Sequence, residues 1–436
     1  MKRIAIFLLS VLLISCSQEA PQPDETWVRS VGGRMANVIL DVESLSDGRV
    51  VVVGQQGYPA YDYSATVGVN YEGNIQERGC MIALLSPQGR LIKKRLFRAE
   101  DIRIDGLMTL NSIGDRGTFT QVIPTPDGGF LCLGEWRGAG FSGDPNGQWG
   151  FLQFEPGDPS AYANFVCKFD SDLKLTNFRT VMGSPLTPNI VFTNAHICIS
   201  PSGEIKLATS GLRTVANITH MYALFTLDQD GNAVDVRTTY TNPPWLSLTR
   251  DLMYSTDGEL LMFGQEGNKM VIHNWGPEGF GITEVIDVAD DGVGPGQVNG
   301  NNAFLVNNPQ GGYIAVHMDA PQSIVLTHLD EDLNLIKEDI RPEVLSEGEY
   351  PLDASMTEDG ELLLQTNLLY GAPFVYSRLY KLTADGQLIW QREFSGVNGS
   401  FAQTSDGFLL IPENYTQDES IQKARLIKAY SNGLLE

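Results

Sequence analysis

One phrase of apolar and polar positions recurs seven times along the chain. An apolar run meets a Gly-bearing turn and a second apolar run follows; then come a variable stretch, a strand, a second turn and a last strand. The first turn reads Asp47-Gly48, Asp127-Gly128, Ser202-Gly203, Asp257-Gly258, Gln310-Gly311, Asp359-Gly360 and Asp406-Gly407. An apolar strand follows each: Val50 to Val53, Phe130 to Leu133, Ile205 to Ala208, Leu260 to Phe263, Tyr313 to Val316, Leu362 to Leu364, and Phe408 to Ile411. Asp-Gly and its relatives supply the positive φ of tight hairpins, so two-residue turns are expected. The second turn appears as Pro87-Gln88-Gly89, Ser171-Asp172, Gln229-Asp230-Gly231, Pro277-Glu278-Gly279, Glu331-Asp332, Ala384-Asp385-Gly386 and Ser431-Asn432-Gly433.

Successive first turns lie 80, 75, 55, 53, 49 and 47 residues apart, so the unit is near fifty and the first two carry insertions. Four strands per unit at that period predict blades of a β-propeller, and seven turns predict seven blades. Length alone suggests two or three domains, but the repeat predicts one all-β domain over residues 26–436. Helical signals are nearly absent, and a pair of β-sandwiches is the weaker alternative. The seventh unit stops after its second turn at Gly433-Leu434-Leu435-Glu436, while Glu25-Thr26-Trp27-Val28-Arg29-Ser30-Val31 reads as a last strand with nothing before it. The N-terminal strand is therefore expected to complete the last blade. Otherwise both edges would be open to aggregation.

Asp127-Gly128-Gly129-Phe130 with Lys168-Phe169-Asp170, and Lys381-Leu382 with Trp390, give the repeat the look of a known group. It resembles propeller lipoproteins of the Bacteroidota type, whose units carry an Asp-Gly-Gly turn. The resemblance spans residues 16–436 and implies the propeller fold. Its motif is structural and carries over no catalytic residue.

The start of the chain fits an exported protein. Met1-Lys2-Arg3 precedes an apolar run from Ile4 to Ile14, broken only by Ser10, which reads as a signal peptide over 1–15. The run is too short for a bilayer, which needs roughly 20 residues. Leu13-Ile14-Ser15-Cys16 resembles the bacterial lipobox, implying acylation, as by palmitate, at Cys16. Residues 16–25 are polar and proline-bearing and read as a flexible tether. Ser17 after the cysteine implies the outer membrane, with the leaflet open. The net charge is −23, or −25 once Lys2 and Arg3 leave with the signal. Such a charge argues against nucleic acid and against docking onto anionic lipid, leaving the lipid anchor as the expected membrane contact. Cys80, Cys132, Cys167 and Cys198 have no CxxC spacing and sit in apolar runs. Free buried thiols are expected, with a Cys132–Cys167 bridge as the alternative.

In a four-stranded blade, strands a to d from the axis outward, the a–b and c–d turns share one face and the b–c and d–a connections the other. The first set is short throughout; the second holds every insertion and is the expected working face. The insertion from Gln55 to Gly79 carries Tyr58, Tyr61, Tyr63 and Tyr71. That from Glu135 to Asn164 carries Trp136, Phe141, Trp149, Phe151, Phe154 and Tyr162. Aromatic rings offer flat apolar area with a polar handle, which suits an outer-membrane protein complex or a glycan. The competing reading has them folding their own loops. Asp287, Asp290 and Asp291 precede Gly292 in a Gly- and Asn-rich loop, where hard oxygens suit Ca²⁺, although the spacing is not that of an EF-hand. No other cofactor is expected. The Asp170/Asp172, Asp228/Asp230 and Asp330/Asp332 pairs recur at one place in the repeat and read as turn formers.

Catalytic motifs are missing: none of the five histidines stands in a metal spacing, and no G-x-S-x-G elbow occurs. His196 falls on a predicted innermost strand and reads as structural. Catalytic residues stay unassigned, because propellers can draw carboxylate pairs from distant blades. The expected role is a membrane-anchored, non-enzymatic binding or assembly module. The alternatives are a propeller-type polysaccharide lyase or hydrolase and a structural subunit of a larger transport complex.

Overall fold

The computed structural model describes residues 26–31, 37–56, 79–97, 117–137, 162–181, 190–213, 219–240, 247–266, 269–276, 279–287, 303–319, 323–346, 349–368, 376–395, 399–418 and 421–432. Twenty-eight strands form seven four-stranded antiparallel sheets, the blades of a propeller. Blade 7 takes β1 (Trp27–Val31) as its outer strand. Blade 1 is β2 (Asn37–Ser44), β3 (Val50–Gln56), β4 (Gly79–Leu85) and β5 (Leu91–Phe97). Blade 2 is β6 (Gly117–Pro124), β7 (Phe130–Arg137), β8 (Tyr162–Phe169) and β9 (Leu175–Val181). Blade 3 is β10 (Ile190–Ile199), β11 (Ile205–Arg213), β12 (Thr219–Leu227) and β13 (Ala233–Tyr240). Blade 4 is β14 (Ser247–Tyr254), β15 (Leu260–Glu266), β16 (Lys269–Gly276) and β17 (Gly279–Asp287). Blade 5 is β18 (Phe304–Asn307), β19 (Tyr313–Asp319), β20 (Ser323–Leu329) and β21 (Leu335–Ile340). Blade 6 is β22 (Glu349–Met356), β23 (Glu361–Leu368), β24 (Tyr376–Thr383) and β25 (Leu388–Ser395). β26 (Ala402–Gln403), β27 (Leu409–Asp418) and β28 (Ile421–Ala429) complete blade 7.

Middle strands such as β3 and β4 carry unbroken apolar runs because both faces of the blade are covered. Val50 and Val52 pack toward blade 7, while Val51 and Val53 pack toward blade 2. The buried side chains fall into seven clusters, one at each blade interface. Each fully buried Val, Leu, Ile or Phe contributes roughly 1.5–3 kcal/mol, so cohesion is spread around the ring. Cys80, Cys132 and Cys167 lie together in the cluster between blades 1 and 2. Cys132 stands opposite Cys167 across β7 and β8, and all three are free thiols.

The first turns close over three residues, not two. In blade 1 the Gly48 N–H donates to the Leu45 carbonyl at 2.9 Å and the Leu45 N–H to the Arg49 carbonyl at 2.8 Å. Only Gly48 takes positive φ (79°), so the hairpin is a type I turn ended by a left-handed glycine. A two-residue type I′ turn would need positive φ at Asp47 as well. The Asp47 carboxylate instead accepts the Arg49 N–H at 3.0 Å, an Asx contact that explains the aspartate. At the corresponding place in the second turns of blades 2 and 5 stand Leu173 (φ 54°) and Leu333 (φ 65°). Their conformation costs about 1–2 kcal/mol, and both are buried in the inter-blade clusters, which offsets it.

The Asp-Gly-Gly…Lys motif is a clamp. Lys168, only 2% exposed, donates to Asp127 Oδ1 at 2.7 Å and to Thr125 Oγ1 at 2.5 Å. A Cβ at Gly129 would meet the Phe169 carbonyl oxygen at 2.3 Å, so the second glycine is there for close approach. In blade 6 Lys381 pairs with Glu361, just after the turn, at 2.5 Å, and in blade 7 Lys428 reaches the turn's Asp406 more loosely at 3.4 Å.

The ring closes on the N-terminal strand. β1 pairs antiparallel with β28, Trp27 opposite Lys428 and Val31 opposite Ala424. The Trp27 indole Nε1 donates to the Pro87 carbonyl of blade 1 at 3.0 Å. Asn414 of blade 7 grips the inner strand of blade 1 twice, accepting the Ile39 N–H and donating to the Ile39 carbonyl, each at 2.8 Å.

Candidate functional site

The inner strand of a blade pairs on one edge only, so polar backbone on its other edge faces the axis and needs partners. The register shifts at one place on β2, β6, β14 and β22, just before Asp41, Gln121, Asp251 and Asp353. A β-bulge re-aims the side chains beside it. Each of these four reaches the inner strand of the following blade. Asp41 Oδ2 accepts the Val122 N–H at 2.8 Å, and Gln121 Oε1 accepts the Ile197 N–H at 3.0 Å. Asp251 Oδ2 accepts the Leu305 N–H at 3.1 Å, and Asp353 Oδ2 accepts the Phe401 N–H at 2.9 Å. The second oxygen of each aspartate accepts the N–H of its own next residue. The result is a belt of side-chain clasps stitching blade to blade around the axis.

Burial raises the carboxyls of this belt. Asp251 is pushed up to about 6 by burial, against the two N–H bonds that lower it. Asp41 and Asp353 are raised as well, by burial first and then by neighbouring acids: Glu43 for Asp41, and Asp41 and Asp251 for Asp353. Glu43, half-buried two residues beyond Asp41, is raised to about 7 by burial and by the charge of Asp353.

His196 is on the inner strand of blade 3, as the sequence predicts. It donates to the Thr249 carbonyl of blade 4, and burial together with the Arg250 charge lowers it to about 4. A neutral ring held by a carbonyl is an inter-blade clasp like the aspartates beside it.

A second polar constellation stands at the connection-bearing end of blade 6. Glu349, 1% exposed, accepts from Arg378 Nη1 at 2.7 Å, Thr366 Oγ1 at 2.8 Å and the Tyr380 hydroxyl at 2.9 Å. Arg378 also meets Glu393 at 3.2 Å and keeps part of its surface open. Burial raises the Tyr380 phenol, with Glu349 adding to the effect, so it is a donor here and no nucleophile. Neither Glu349 nor Arg378 has a sequence signature, since their meeting depends on the pairing of β22, β23 and β24.

Most sequence-predicted contacts lie outside the described residues: Tyr58, Tyr61, Tyr63, Tyr71, Phe141, Trp149, Phe151 and Phe154, with Asp290 and Asp291. The backbone puts Trp136 near the end of β7, Tyr162 at the start of β8 and Asp287 at the end of β17, all at the b–c and d–a face. Among the described residues no group of three or more His, Cys, Asp or Glu is arranged to hold a metal ion.

No protein-family model matches the chain, and no curated protein matches it. Solved structures similar in fold include a protein of unknown function from Bacteroides caccae, with TM-score 0.41 and 10% identity over 72% of this chain and 89% of that one. A sialidase from Streptococcus pneumoniae matches with TM-score 0.45 and 10% identity, over 94% and 71% of the two chains. A polysaccharide lyase, an ulvan lyase bound to a glucuronyl-sulfated rhamnose unit, matches with TM-score 0.49 and 10% identity over 93% and 97%.

Proposed function

We propose that this chain is an exported lipoprotein of the Bacteroidota propeller type, acylated at Cys16 on the outer membrane, whose connection-bearing face holds a protein partner or a glycan. The observation that carries the reading is the split between the two faces. The described a–b and c–d turns span three residues. The long connections 57–78, 98–116, 138–161 and 288–302 all join strand ends on the opposite face. Variable loops on a rigid scaffold are where binding concentrates. Arg378, held by Glu349 and partly open at the same end, adds a fixed cation for an anionic group on the ligand. The test is a detergent pull-down of the acylated, C-terminally tagged protein from its own membrane. A stoichiometric membrane partner supports an assembly subunit and glycan capture a free-standing binder. Loss of neither partner nor glycan upon deleting 138–161 would count against the face.

Acid–base cleavage of a polysaccharide is the second reading, and one observation favours it: Glu43, with its carboxyl near 7, beside the inner-strand acid Asp353. Turnover of anionic and neutral polysaccharides by purified protein, abolished in Glu43→Gln, would move the assignment to an enzyme.

A further inference from the structure

We propose that the turn-bearing rim of blades 5, 6, 7 and 1 is the part of the propeller that rests against a lipid bilayer. The inference rests on the reading of Cys16 as the acylated anchor and extends it from a tether to a seated orientation.

The outer strands of blades 1, 5 and 6 all open with the same dipeptide: Leu91-Ile92, Leu335-Ile336 and Leu388-Ile389. These six side chains are 41–64% exposed, and the strands turn polar immediately afterwards in blades 1 and 5 and after Trp390 in blade 6. Tyr430, in the second turn of blade 7, is 43% exposed and lies in the same arc. The one further exposed large apolar residue among those described is Val234, at the same end of blade 3. Exposed apolar side chains scattered singly call for no explanation. Pairs repeated at one height on blades 5 and 6, and again on blade 1 beyond Tyr430 of blade 7, are not scattered singly, and a concentration of that kind marks an interaction surface.

Where the chain arrives selects the occupant. β1 runs from the turn-bearing end of blade 7, with Trp27 opposite Lys428 beside the second turn. Blade 7 lies between blades 6 and 1, so β1 begins between Leu388-Ile389 and Leu91-Ile92. Residues 16–25 are ten residues, and at about 3.5 Å each they reach at most about 35 Å. An acylated Cys16 therefore keeps this arc at high local concentration near the lipid, where even a weak apolar contact is occupied. Exposed cations stand on the same wall, Arg29 on β1 with Arg90 and Arg95 around β5, in a chain of net charge −23. The arc also carries Asp385, paired to Lys337 at 2.9 Å, and Glu393, paired to Arg378. With both signs present, the contact is chiefly apolar, made by aliphatic side chains at headgroup depth. In this orientation the connection-bearing face points away from the bilayer.

The test uses the full acylated chain in zwitterionic phosphatidylethanolamine–phosphatidylcholine vesicles. Single cysteines at Ile92, Ile389 and Val234, in a Cys198→Ser background, carry an environment-sensitive fluorophore, and the lipids carry a nitroxide near the headgroup. Labels at 92 and 389 should lose about half or more of their emission to the nitroxide, while the label at 234 keeps it. Equal, weak quenching at all three on vesicle-bound protein overturns the seated orientation while leaving the anchor intact. Protein that fails to sediment with vesicles, and behaves no differently as Cys16→Ser, overturns the anchor itself. A label change at 92 that follows protein concentration without lipid assigns the patch to a second copy of the chain and overturns the proposal.

Discussion

The Asp41 carboxylate of blade 1 accepts the Val122 N–H of blade 2 at 2.8 Å, and it also accepts the Val42 N–H of its own strand. One side chain thus satisfies two axis-facing donors on different blades, a pattern repeated by Asp251 and Asp353.

Asp41→Ala should leave both N–H groups without a partner. Each orphaned donor costs about 1–3 kcal/mol, so a loss of about 2–4 kcal/mol is expected, read as a lower midpoint in urea unfolding. Asp41→Asn keeps one acceptor and should lose less. Equal stability of Asp41→Ala and the parent would show that the clasp carries no weight.

The raised acids make stability depend on pH in a definite direction. An aspartate lifted to about 6 in the native state, against about 3.9 unfolded, binds more protons folded than unfolded. Its contribution is complete below pH 4 and is lost as pH rises through 6, and Glu43 extends that window to about 7. The urea midpoint should fall between pH 5 and pH 7.5, and Asp251→Asn with Glu43→Gln should flatten the slope. A midpoint that climbs over this range would contradict the assignment.

Lys168→Met should break the blade 2 clamp. Hydrogen bonds from Lys168, Thr125 and the Gly129 N–H, with the lysine charge, outweigh burial and hold Asp127 down at about 2. That contribution is present above pH 4 and is lost as pH falls through 2, opposite in sign to the inner belt. The variant should lose about 1–3 kcal/mol at pH 7 and this acid-side loss together. Urea titrations at pH 2 and pH 7 check both.

Gly89→Ala should loosen the ring seam. Its φ is +72° and a Cβ would lie 2.6 Å from the Trp27 ring, so the indole must leave the Pro87 carbonyl. Red-shifted tryptophan emission and faster proteolysis before β2 are expected. A parental spectrum and proteolysis rate would mean that Trp27 does not hold the seam.

Trp149→Ala with Phe151→Ala should weaken partner or glycan binding by a few kcal/mol while leaving the unfolding midpoint in place, as hot-spot rings do. Unchanged affinity in titration calorimetry would remove the blade 2 insertion from the contact surface.

The local rules of the chain were legible in its sequence. Asp47-Gly48 and its six relatives punctuate the strands because only particular residues tolerate the turn geometry. Runs such as Val50 to Val53 announced strands covered on both sides, and the period near fifty announced the blades. The three-residue form of the turns was not legible, since Asp-Gly serves both hairpins and only φ at Asp47 separates them. The aspartate belt was missed for a different reason. Asp41 and Val122 are 81 residues apart, and their contact exists only once two blades pack around one axis. Likewise Glu349 finds Arg378 only across paired strands, and the Leu-Ile pairs come to one rim only when the blades stand in a ring. Sequence decides what each segment can be, because turn and strand preferences act over a few residues. The closed ring decides which distant polar groups share a dry space and which apolar ones stay outside, because burial is a property of the packed blades together.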